Sequence, residues 1–123
     1  MLATLSPQEA YARVDFDARV EGAGPGQLVS LCYEHLVRAL GAAIHAHGRA
    51  DARAKSQSLT RALSALTALQ MGIGGDGPVA QALHQVYEAA RRALLDSAIA
   101  FDAAGVEQIR QDFADIAEAL RAA

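Results

Sequence analysis

Four histidines, one cysteine and a glycine-rich stretch are the residues of this 123-residue chain whose types could support chemistry. His35 with Arg38 one helical turn later has the spacing of a phosphotransfer histidine. The imidazole would take the phosphoryl group and the guanidinium would meet its charge. The histidines do not form a metal set: His45 and His47 are adjacent but one on a helix, where side chains at that separation diverge by about 200°. A di-iron bundle needs Glu three residues before His, and Gln81 stands there ahead of His84. Cys32, the sole thiol, can form no internal disulfide and lacks a second thiol to complete a metal site. No base or nucleophile signature surrounds it, so it reads as a small buried residue. Gly72-Ile73-Gly74-Gly75-Asp76-Gly77-Pro78 has the glycines of a phosphate cradle but no strand before it and no Lys after it. It reads as a turn between helices, and no enzyme, cofactor or metal centre is expected.

The elements that carry these residues are helices. The chain is alanine-rich, has no Trp, and is long enough as one domain to bury roughly two thirds of its unfolded surface without a staple. Residues 27–47 form a helix whose apolar positions, from Leu28 and Leu31 through Cys32, Leu36 and Ala39 to Ile44, spread over about 240° of the wheel. A helix facing one core needs a stripe only a little over about 100° wide, so this one meets two surfaces or sits mid-fold. From Val106, by contrast, Ile109, Phe113, Ile116 and Leu120 occupy only about 80°, the single seam of an outer helix.

Punctuation sets the other boundaries. Ser6-Pro7 opens a short segment in which Tyr11 and Val14 share a face, and Gly22-Ala23-Gly24-Pro25-Gly26 is a joint separating residues 1–21 from a body at 22–123. Gly48 is expected to supply a left-handed cap and Asp51 to start the next helix, which runs to about Met71 with Leu59, Leu63, Leu66 and Leu69 on one face. A further helix runs from Pro78 to Phe101 with Leu83, Val86, Tyr87, Ala90 and Leu94 inward, and Leu95 and Ile99 stacked on its outer side. Asp102 caps the last helix, or Ala103 to Gly105 forms a brief turn before it. Short links between long helices predict an all-α, antiparallel up-down four-helix bundle preceded by a mobile helical segment.

The formal charge is −3 and the basic residues are dispersed, which excludes the footprint of a nucleic-acid binder. Met1-Leu2-Ala3-Thr4-Leu5-Ser6-Pro7 has no basic start or apolar run, so no secretory signal is read there. No stretch nears the ~18 apolar residues of a membrane span, and a cytoplasmic protein is expected.

In order along the chain stand Tyr11, the run Gly24-Pro25-Gly26-Gln27-Leu28-Val29-Ser30-Leu31-Cys32-Tyr33-Glu34, the run Lys55-Ser56-Gln57-Ser58-Leu59-Thr60-Arg61-Ala62, then Gly74-Gly75 and Val86-Tyr87. In that order and spacing the chain resembles the flagellin export chaperones of the FliS type over nearly its whole length. It resembles a divergent member: Gly24 replaces the Ser of a Ser-Pro start, Cys32 a Leu, and Ala98 an Asn. The resemblance implies a cytosolic carrier that binds the disordered C-terminal segment of flagellin, prevents its premature polymerisation and delivers it to the flagellar type III export apparatus, with components of the export gate as further partners. A monomer or weak homodimer is expected. Such a carrier needs an apolar groove, which the wide arc places on Leu28, Leu31, Cys32, His35 and Ala39, with Leu95 and Ile99 as a second contact. Residues 7–20, through Tyr11 and Val14, would lie over the groove until the guest displaces them.

Overall fold

Pro25 opens α1 (Pro25–Gly48), ahead of the expected start at Gln27, because proline at a first helical turn gives up an N–H that has no partner there anyway. Pro25 and Gly26, read as part of the joint, are therefore helical. The structure, a computed structural model, describes residues 25–122, so the segment bearing Tyr11 and Val14 lies outside the described residues.

α2 (Ala52–Met71) begins at Asp51, whose carboxylate accepts the Ala54 N–H at 3.0 Å. The turn before it differs from expectation. Gly48 stays within α1, and Ala50 takes the left-handed conformation at φ 56°. That conformation costs a residue with a Cβ about 1 kcal/mol or more. Ala50→Gly should therefore raise stability by about 0.5 kcal/mol after the added freedom of the unfolded chain, a gain of ~2–4 °C in a thermal melt. A fall in melting temperature would mean that the turn is not strained.

Gly77, extended, precedes α3 (Pro78–Ile99), again with proline in the first turn. α3 ends short of the expected Phe101 because Ala100 turns extended at φ −135°. Phe101 is thereby carried over the end of α1, where its ring stacks on His47 at 4.4 Å and lies under the Lys55 ammonium at 5.1 Å. Lys55 donates to His47 Nδ1 at 3.2 Å, so this end of the bundle is closed. α4 (Ala103–Ala122) is capped by Asp102, which accepts the Gly105 N–H at 3.0 Å. A Cβ at position 105 would meet the Asp102 carboxylate, so a larger residue there requires the capping side chain to shift.

The four helices form one bundle in which α1 packs against both α2 and α4, and α3 lies across α2 and α4. The wide arc of α1 is consumed by those two neighbours over most of its length: Leu36, Leu40 and Ala43 are fully buried. α2 contributes Leu59, Ala62, Ala65, Leu66 and Leu69, its alanines allowing close approach. Arg91 ties α3 to α2 by donating to Thr67 Oγ1 at 2.8 Å and Gln70 Oε1 at 3.1 Å. Val86, expected inward, is 43% exposed. It sits about 100° round the helix from Tyr87, toward α4, on the side where the two helices approach least.

Candidate functional site

Opposite the Phe101 end, α1 and α3 begin and α2 and α4 finish, and there the apolar seams of α1, α3 and α4 outrun the packing. On α3, Leu94 and Tyr87 are buried, Leu83 half-buried and Val79 exposed. On α4, Val106 and Phe113 are buried, Ile116 half-buried and Leu120 46% exposed. α1 runs the same way, from buried Leu36 through Tyr33 to half-buried Leu28 and exposed Val29. The helices stay apolar where they no longer meet one another, and the result is a cavity of about 1040 Å³.

Leu28 and Cys32 of α1, Leu69 of α2, Leu83 of α3 and Ile116 of α4 form its walls, with Ile73 from the α2–α3 turn at the mouth. Gly72, Gly74 and Gly77 of that turn line the cavity as well; a Cβ at Gly74, Gly75 or Gly77 would meet open space, and Gly75 needs its glycine for φ 77°. Tyr33 and Tyr87 line it too, and behind them lies Phe113, its ring centroid 5.9 Å from that of each tyrosine. The two tyrosine hydroxyls are hydrogen-bonded to each other.

Of the groove residues read from the sequence, Leu28 and Cys32 line the cavity. Leu31 and Ala39 do not: they are 7% and 5% exposed, covered by the bundle itself. His35 is half-buried and lies outside the cavity wall. Leu95 and Ile99 are exposed on α3, away from the cavity. The residues that sequence reading missed as groove formers are Leu69, Ile73, Val79, Leu83, Ile116 and Leu120. Their signal was available in the antiparallel order, which brings the ends of four apolar seams to one place.

The site offers shape and apolar surface in place of reactive groups. Burial pushes the Cys32 thiol above its usual range, which keeps it protonated and unreactive. Burial, then the Arg61 and Arg38 charges, hold His35 below the ordinary imidazole range. Arg38 is already paired with Glu34 at 3.1 Å, so the cation that phosphotransfer at His35 would use faces a carboxylate instead. Among the described residues no cluster of His, Cys, Asp and Glu could hold a metal ion, and no helix is long and apolar enough to cross a membrane.

The chain has relatives among known proteins. The family model described as flagellar protein FliS matches residues 7–123. The flagellar secretion chaperone FliS of Salmonella typhimurium is 29% identical over 119 residues, covering 94% of this chain and 88% of that protein. The match spans every helix described above and both ends of the bundle, and the chain belongs to the FliS family of flagellar proteins, a family of secretion chaperones.

Proposed function

We propose that the open end of the bundle receives an apolar stripe of the disordered C-terminal segment of flagellin, in the cytosol, and holds it unpolymerised until the flagellar type III export apparatus takes it over. The observation that carries this reading is the cavity itself: all four helices contribute apolar side chains to its lining, and Val29, Val79 and Leu120 remain exposed at it. Segments that fold on binding bury on the order of 1,000–3,000 Å² and need such a surface to offset the entropy of ordering. Leu28 and Cys32 are direct contacts in this reading, and Leu95 and Ile99, 50% and 91% exposed, meet the same guest further along its length.

An apolar bowl open to water also favours self-association. The chain carries its own candidate cover. Residues 1–21, with Tyr11 and Val14, precede an α1 whose first turns line the cavity, and in this reading they lie over it until the guest arrives.

Calorimetric titration with the C-terminal peptide of the cognate flagellin tests both statements. Saturable binding with a negative heat-capacity change is expected, and its absence would remove the chaperone reading of the cavity. Deleting residues 1–21 should tighten that binding or promote self-association. An unchanged affinity with a monodisperse product would remove the cover.

A further inference from the structure

Among the residues lining the cavity, Tyr33 and Tyr87 alone carry a side-chain oxygen or nitrogen. Both are buried, at 1% and 3% exposure, and their hydroxyls bond to each other. Each phenol has one O–H. A mutual bond uses one of the two protons, and neither hydroxyl has another partner among the described residues. One O–H therefore remains uncommitted in a pair of buried residues that line an apolar cavity, and a polar hydrogen without an acceptor is unfavourable there. Burial and the bond to Tyr87 push the Tyr33 phenol above its usual range, so it keeps its proton and stays a donor.

We propose that the Tyr33–Tyr87 pair is a specificity point within the groove, donating its uncommitted O–H to a carbonyl oxygen of the bound segment. This rests on the peptide-binding reading above and adds to it the chemistry of the guest. A carboxylate would be a poor acceptor, because no cation lines the cavity to replace its water. Carbonyls inside a helix are already bonded, whereas those of the last turn are not. The acceptor is thus an Asn or Gln side chain set in the apolar stripe, or a main-chain carbonyl where the guest's helix ends.

The test is the Y33F/Y87F double variant against the flagellin C-terminal peptide. Replacing both partners by rings of the same shape should leave the melting temperature equal or higher, while affinity falls about 3- to 10-fold. Equal or tighter binding by the double variant, beside a wild type that binds, overturns the hydroxyl contact alone. A wild type that does not bind overturns the peptide-binding reading itself. Asn→Leu and Gln→Leu changes in the peptide then separate the two sources. A position whose loss appears with wild type but not with the double variant assigns a side-chain acceptor, and no such position, with the double-variant loss retained, assigns the main chain. Should the double variant not fold, ultraviolet resonance Raman of the Tyr11→Phe protein decides. Adding a tyrosine-free peptide should shift the tyrosine doublet toward a stronger donor, and an unmoved doublet overturns the contact.

Discussion

Leu28→Asp weakens binding of the flagellin C-terminal segment about a hundredfold and leaves the melting temperature within a few degrees of wild type. Leu28 is half-buried on the cavity wall, close to the start of α1. In the free protein an aspartate at this half-buried position keeps its water, at most by loosening the cover proposed for residues 1–21. It even gains slightly from the helix N-terminus, since the first turn of α1 has no acidic residue. Seating an apolar guest strips part of that water with no cation in the wall to replace it, a cost of about 1–2 kcal/mol at this half-buried position, to which the lost Leu contact adds about 1.5 kcal/mol. Leu28→Ala loses only the contact, so it should weaken binding about tenfold and thereby separate desolvation from packing. Calorimetry and thermal melting on the same samples check both. Binding by the aspartate variant within about threefold of wild type would place the guest elsewhere.

How far the sequence reveals this site is clearest on α1. Its wide apolar arc was legible, as were the caps at Asp51 and Asp102 and the proline start at Pro78, because each depends on local chemistry. What the guest could reach was not. Leu28 and Ala39 share nearly one angle on a helical wheel, yet they lie about 16 Å apart along the axis. One stands at the open end and the other is 5% exposed between α2 and α4. A wheel projects away the coordinate that decides the matter. Val86 shows the complementary failure: its angle is nearly inward, but whether α4 comes close enough to cover it is a property of the assembled bundle. The left-handed residue at Ala50 instead of Gly48 has the same origin, since the length of α1 and not the residue preference set where the turn fell. The cavity as a whole required knowing which helix ends meet, and only the antiparallel order contains that.

Leu36→Ala is the opposite experiment on the same helix. Leu36 is 0% exposed and belongs to the central cluster where α1 is clasped by neighbours on two sides, so little can collapse into the space its removal leaves. The loss should be about 3–4 kcal/mol, in the upper part of the range for buried Leu→Ala changes. For a bundle of this size that lowers the melting temperature by roughly 12–25 °C. Leu36 itself does not line the cavity and lies about 12 Å along α1 from Leu28, so only the part of the wall at Cys32 and Tyr33, one turn away, can adjust. Affinity corrected for the folded fraction should therefore stay near wild type, which calorimetry well below the melting transition would measure. A stability loss under about 1 kcal/mol would mean that the arc is not held by the bundle and is free for a guest along its whole length. The two substitutions together divide one helix into a part that builds the fold and a part that meets the guest, because apolar side chains stabilise a bundle only where another helix arrives to cover them.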